Sequence, residues 1–385
     1  MPASISFGID QLLQHPEAYK DLRLGLVTND AALTTTGVPS RVALLHAQFQ
    51  LVRLFSPEHG INSAGDDGVA QADAKDAVTG LPIVSLYNEK LAPSEADLDG
   101  LDALLFDIPD IGCRFYTYLW TMTYVMEACA KCQKPMLVLD RPNPIGALLE
   151  KAEGPMLNEL HCSSFIGRFN IPLKHSCTLA ELAQYFAATR FPNLPLQVVK
   201  AANYHRHHTA VSDFVFHPTS PAIQNIQTAL LYPGMGLMEG IFINEGRGTA
   251  KPFTQFAAPW INEMELCKRL REQLTHVAIE PVQFTPISSI YTGEQCKGAS
   301  LTISDPDHFM AVKTGITILQ TLAQLYPGHF EERLYTTQAN PGGQQHMDKL
   351  LGVKDSLLLL KQGLSFDINV ADEWSKIIQP YLLYS

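Results

Sequence analysis

The 385-residue chain lacks any run approaching the roughly 18 apolar residues of a bilayer-spanning helix, so no transmembrane segment and no membrane partner is expected. It also lacks a basic excess: 28 Lys and Arg stand against 39 Asp and Glu, a net charge of −11. With no basic stripe for phosphates, nucleic acid is excluded as a partner. A disulfide framework is missing too. The seven cysteines (113, 129, 132, 162, 177, 267 and 296) are odd in number and irregularly spaced. Cys129 and Cys132 form a C-x-x-C, but late in a helical pattern rather than at a helix N-terminus where thiolates are activated, so these thiols read as reduced and structural. No G-x-G-x-x-G follows the first strand pattern; Gly25 is isolated and Thr28-Asn29-Asp30 occupies that turn. A nicotinamide cofactor is therefore disfavoured, and no cofactor of any kind is expected. No G-x-S-x-G elbow, P-loop or H-E-x-x-H occurs. Tyr204-His205-Arg206-His207-His208 has no carboxylate or cysteine at ligand spacing, so it reads as a solvated loop and no metal is expected. The first residues have neither a basic n-region nor a long apolar stretch, and the expected compartment is the cytoplasm.

Composition is that of an ordinary globular enzyme, with 46% hydrophobic and 17% charged residues, and the length suffices for two domains. Short apolar runs at 22–28, 51–55, 82–86, 103–107 and 136–140 predict strands. Helical patterns near 42–48 and 116–131 lie between them. This alternation predicts an α/β fold: a Rossmann-like, mostly parallel sheet with helices on both faces, occupying residues 1–230. Thr178 and Glu181 form a capping box opening a helix over 179–189, and 196–199 reads as a further strand. Residues 231–385, with a strand at 299–303 and a helix at 308–325, are expected to form a second, smaller α/β or α+β domain that closes a substrate cleft.

Polar clusters stand at the C-terminal ends of four predicted strands, the edge where open α/β sheets bind ligands. They are Thr28-Asn29-Asp30, Ser56-Pro57-Glu58-His59, Asp107 with Asp110, and Asp140-Arg141-Pro142-Asn143. Together they predict one converging site, although each alone is also what a turn uses. Glu58 is the leading acid/base candidate, because Pro57 fixes its approach and Gly60 lets the chain turn away; His59 would assist it. The loop Asn244-Glu245-Gly246-Arg247-Gly248-Thr249 offers Glu245 as a second carboxylate, with Glu239 in reserve and Arg247 to bind substrate; a Glu–Arg pair that only staples the loop is the alternative. Arg114, near a helix start, is a candidate grip for a substrate carboxylate. Tyr116 and Tyr118 would stack on or bond to a sugar, unless they are core. Asn29, Asp140 and Arg141 complete the candidate binding set, with a purely structural Asp140–Arg141 ion pair as the alternative for those two.

Several stretches occur together and in order: Leu26-Val27-Thr28-Asn29, Phe55-Ser56-Pro57-Glu58-His59-Gly60, Arg114-Phe115-Tyr116-Thr117-Tyr118, Leu139-Asp140-Arg141-Pro142-Asn143-Pro144, Glu153-Gly154-Pro155, Tyr232-Pro233-Gly234, Glu245-Gly246-Arg247-Gly248-Thr249 and Ala258-Pro259-Trp260. On these the chain resembles the NamZ (YbbC-like, formerly DUF1343) family of exo-β-N-acetylmuramidases. The resemblance implies a Rossmann-like N-terminal domain, a smaller C-terminal domain and an active site between them. It further implies a saccharide substrate, with release of N-acetylmuramic acid from the non-reducing end of peptidoglycan fragments. The lactyl carboxylate of that sugar would suit Arg114 or Arg247. A non-catalytic amino-sugar-binding protein on the same fold is the alternative.

Overall fold

A computed structural model describes residues 4–65, 68–70, 72–87 and 89–385. Among them twelve strands occur: β1 (Leu24–Thr28), β2 (Leu51–Ser56), β3 (Ala74–Lys75), β4 (Pro82–Ser85), β5 (Ala103–Asp107), β6 (Met136–Leu139), β7 (Glu153–Met156), β8 (Pro172–Lys174), β9 (Leu196–Val199), β10 (Gln255–Ala258), β11 (Val277–Phe284) and β12 (Cys296–Ile303). Seven form one sheet in the order β3-β4-β2-β1-β5-β6-β9, with every pair parallel except β3 with β4. Taken in chain order, the parallel strands run 3-2-1-4-5-6. That is the doubly wound arrangement, and its direction reverses at β1.

The sheet's sidedness follows from residue alternation. Leu24 and Leu26 of β1 and Ala103 and Leu105 of β5 share one buried cluster with Ile9, Leu12 and Leu44 from the helices Gly8–Gln14 and Ser40–His46. Val27, Leu104 and Phe106 face the other way, into a larger cluster holding Leu119, Trp120 and Met122 of the helix Tyr118–Lys131. Both faces are therefore covered, which is why β1 and β5 are buried at every position and read as continuous apolar runs.

The larger core continues without a break into the C-terminal half, through Phe256, Ile279, Leu319 and Trp374. There β10, β12 and β11 form an antiparallel sheet, packed by the helix Glu263–Gln273, on which the helix Ala311–Leu325 lies in turn. Sequence pattern did not disclose β11, because Pro281 interrupts it; the strand tolerates proline by lying at the sheet edge. The helix Ile226–Met235 crosses Ala311–Leu325 backbone to backbone: a Cβ on Gly234 would stand 2.0 Å from the Ala311 carbonyl oxygen, so only glycine fits. Glu153 fastens the two halves further. Its buried carboxylate accepts from the backbone N–H groups of Ala311 (3.0 Å), Val312 (2.9 Å) and Lys313 (3.2 Å), the otherwise unsatisfied donors at that helix's start.

Candidate active site

The opening proline of the turn after β2 brings the chain off the sheet, and two successive left-handed residues, His59 (φ 67°) and Gly60 (φ 73°), fold it back. A non-glycine residue in that region carries strain of about 1–2 kcal/mol, so the surroundings must hold it. They do so at both ends of His59: its carbonyl accepts from Gly65 N–H (3.0 Å) and its Nδ1 donates to the Gly65 carbonyl (2.7 Å). With Nδ1 carrying the proton, the neutral ring keeps its lone pair on Nε2.

Glu58 is buried in this turn and held at both oxygens. Oε1 accepts from Gly68 N–H at 2.9 Å, and Oε2 accepts from the Thr117 hydroxyl at 2.6 Å. Thr117 is the N-cap of the helix Tyr118–Lys131, yet its side chain makes no capping bond; the hydroxyl goes to Glu58 instead. A hydroxyl can donate to a carboxylate or accept from a carboxylic acid, so Thr117 keeps Glu58 in place in either protonation state. Thr117→Val is expected to lower kcat about 10-fold or more with KM little changed, and Thr117→Ser to restore it; equal kcat in the Val variant and the parent would overturn the positioning role.

Glu58 and His59 line a cavity of about 270 Å³ together with Tyr116, Thr117, Tyr232, Glu239, Arg247, Phe253, Tyr335, His346 and Lys349. Its walls come from both halves of the chain. On the C-terminal side Arg247 donates to Glu239 at 2.5 Å and lies 3.0 Å from Glu245, while its guanidinium sits over the Phe253 ring at 4.8 Å. Tyr232 packs edge-on against Phe115 and Phe253, and Tyr335 stacks on His346 at 4.5 Å. Apolar ring faces beside a few fixed polar groups are the lining a sugar requires.

Several expected contacts are redirected. Arg114 is wholly buried and away from the cavity: its guanidinium donates to the carbonyls of Pro155 (2.6 Å), Ile171 (3.0 Å) and Leu350 (3.0 Å). Burial pulls its pKa down to about 10, still charged at neutral pH. Glu245 is fully buried behind Arg247, between that residue and Arg333 (3.6 Å), and does not line the cavity; the reserve carboxylate Glu239 does. Tyr116 lines it with its hydroxyl on Thr219 (2.7 Å), whereas Tyr118 is core and donates to the Thr219 carbonyl (3.0 Å).

The other strand-end clusters reach the same sheet edge but are engaged there by each other or by distant segments. Arg141 forms a forked pair with Asp107 (2.6 and 2.9 Å) and bonds to Leu33 and Ser40. Asp140 accepts from Ala180 N–H (3.1 Å) and the Tyr384 hydroxyl (2.7 Å), and its burial pushes its pKa up to about 7. Asn29 is buried and accepts from Ala31 N–H (3.2 Å). None of these three lines the cavity. In the histidine-rich segment Tyr204 and Arg206 are buried, the latter on Glu181, while His205 and His207 are exposed. Elsewhere the exposed His276 and His308 both bond to Asp305 through Nδ1, at 3.1 and 2.8 Å.

Sequence reasoning missed Thr117, Tyr335, His346 and Lys349 among the cavity residues. Thr117 had a readable signal, a threonine at a helix start just beyond the Arg-Phe-Tyr run. The other three sit in ordinary polar sequence, and only folding brings them to the cavity.

A doubly wound sheet that presents a fixed carboxylate at one strand end, in an aromatic-walled cavity shared with an arginine–carboxylate pair, is the frame of a carbohydrate-active enzyme. The chain belongs to the exo-β-N-acetylmuramidase NamZ family, whose N-terminal domain model matches residues 24–227 and whose C-terminal domain model matches residues 230–384. A peptidoglycan β-N-acetylmuramidase, NamZ of Bacillus subtilis (strain 168), is 38% identical over 98% of this chain and 89% of its own length. Two crystal structures of DUF1343 family proteins from Bacteroides fragilis NCTC 9343 share the fold. One has a TM-score of 0.87 at 30% identity, covering 99% of each chain; the other has 0.74 at 25%, covering 100% of this chain and 99% of that one.

Proposed function

We propose that this protein hydrolyses the terminal β-1,4-linked N-acetylmuramoyl residue of peptidoglycan fragments from the non-reducing end, with Glu58 exchanging the proton at the glycosidic oxygen. The observation that carries the reading is Glu58 itself: a buried carboxylate on the cavity wall, held by Gly68 and Thr117, in a chain of the NamZ family. His59 Nε2 is the neighbouring group suited to a sugar hydroxyl or to water. Glu239, paired with Arg247, is the second carboxylate that the described residues offer to the cavity, and Glu245 acts only by holding Arg247. Tyr116 and Tyr232 supply ring surface.

Exo action is supported by how the cavity is walled. Gln338 N–H donates to the Gly68 carbonyl at 2.9 Å, so the turn carrying Glu58 is joined directly to the Thr337–Asn340 turn of the C-terminal half. A volume of about 270 Å³ lies just below the roughly 300–1,000 Å³ of small-ligand pockets, and suits one terminal sugar better than a continuous glycan.

The test is release of a chromogenic leaving group from a β-N-acetylmuramide, and of free N-acetylmuramic acid from a muramoyl-terminated disaccharide. Turnover of both is expected, with no cleavage within longer chains. Calorimetric binding of N-acetylmuramic acid without turnover of either substrate would replace this reading with that of a sugar-binding protein.

A further inference from the structure

Among the described residues, the lysine and arginine side chains lining the cavity are Arg247 and Lys349, and their electrostatic situations differ. Arg247 is met by two carboxylates, Glu239 and Glu245. Lys349 is held only by neutral oxygens: its ammonium donates to Asn340 Oδ1 at 3.0 Å and to the Gln344 carbonyl at 2.8 Å, and it forms no ion pair with any described residue. An ammonium has three donors, so one remains for a ligand. Burial holds its pKa below the usual lysine value, opposed by the more distant Glu332, as befits a half-buried cation short of counter-charge.

Its position matches that of the catalytic turn. Asn340, which holds Lys349, closes the Thr337–Asn340 turn, and the same turn bonds through Gln338 to Gly68, which in turn donates to Glu58. A continuous set of hydrogen bonds thus links the ammonium to the Glu58 carboxylate, and both line the same cavity. One sugar ring with an anionic substituent fits that arrangement: the ring's glycosidic oxygen at Glu58, the anion at Lys349.

We propose that Lys349 binds the lactyl carboxylate of the substrate, the group that distinguishes N-acetylmuramic acid from N-acetylglucosamine, and so sets the preference for muramoyl residues. The inference rests on the reading that a muramoyl residue occupies this cavity, and it moves carboxylate recognition away from Arg114 and from the already neutralised Arg247.

The experiment compares the wild type, Lys349→Met and Lys349→Arg in two ways. Calorimetry measures Kd for free N-acetylmuramic acid and for N-acetylglucosamine; kinetics measure KM and kcat on the chromogenic β-glycosides of both. Loss of one charge-assisted contact predicts that Lys349→Met weakens Kd and KM for the muramic sugar about 10- to 100-fold, with values for the glucosamine sugar within about twofold and kcat little changed. Lys349→Arg is expected to recover most of the difference. Equal weakening toward both sugars would mean that Lys349 merely props the Asn340–Gln344 segment, and would overturn the inference. So would unchanged preference in Lys349→Met, or a wild type that binds the two sugars alike. Should the wild type bind muramic acid and lose that preference on substitution, yet hydrolyse nothing, Lys349 keeps its role and the hydrolytic reading falls. Should hydrolysis proceed with preference intact in Lys349→Met, the reverse holds.

Discussion

Glu58→Gln is expected to lower kcat on a β-N-acetylmuramide by at least about 10²-fold, the usual size of the loss when one positioned proton-transfer group is removed. The substitution is nearly isosteric. Its amide oxygen can still accept from Gly68 N–H, and its NH₂ can donate to the Thr117 hydroxyl, so the turn keeps its two tethers. Thermal midpoint and affinity for N-acetylmuramic acid should therefore stay close to wild type while turnover collapses. That combination separates loss of chemistry from loss of fold. Retention of full kcat would remove Glu58 from the mechanism and shift attention to Glu239, the other carboxylate among the described residues of the cavity wall.

Arg114→Met is expected to be the most destabilising single change among the residues discussed. Three buried carbonyls, those of Pro155, Ile171 and Leu350, accept from this one guanidinium, and methionine leaves all three without it. Ile171 still accepts from Leu157 N–H (3.3 Å), so the loss falls on the other two carbonyls, and at about 1–3 kcal/mol for each buried acceptor left unsatisfied it is roughly 2–6 kcal/mol gross. Relief of the buried cation's desolvation, the same effect that lowers its pKa, offsets part of this. A net loss of about 2–4 kcal/mol is still a large share of the roughly 5–15 kcal/mol by which a folded protein is stable. The consequence extends to the site, because Pro155 lies in β7 and Ile171 immediately precedes β8, whereas Leu350 adjoins Lys349 in the helix His346–Leu351. The check is the denaturant midpoint beside KM for any protein that folds. Normal stability with a strongly raised KM for the muramide alone would return Arg114 to substrate recognition.

The contrast between these two residues shows what a single sequence makes legible. Glu58 was readable because local features concur: an apolar run that stops, a proline, two ionisable groups and a glycine. These describe a strand-end turn whatever the rest of the chain does, and β2 ends where they require. Arg114, Asp140 and Arg141 also stand at turn or helix starts beside the sheet, and local pattern ranks them with Glu58. Their partners come from far along the chain: Leu350 for Arg114, Tyr384 for Asp140, Asp107 for Arg141. Whether a charge faces ligand or is satisfied inside the protein depends on those long-range partners, which leave no periodic trace. Glu245 and Glu239 make the same point at close range. Six residues apart in one glycine-bearing segment, they differ in that one is enclosed by two arginines and the other reaches the cavity.

The sequence alone determined the doubly wound parallel sheet, since continuous apolar runs alternating with amphipathic helices have few other ways to bury both faces. It also determined the capping box at Thr178 and Glu181, and the turn that displays Glu58 and His59, because all of these depend on neighbours within a few residues. The tertiary structure alone decided which strand-end polar groups remain available, which carboxylate of the arginine loop reaches the cavity, and that Lys349 faces the same space as Glu58. The physical reason is the range of the forces involved. Backbone conformation and apolar periodicity are local, whereas satisfying a buried charge requires contact between segments up to 236 residues apart, as for Arg114 and the Leu350 carbonyl.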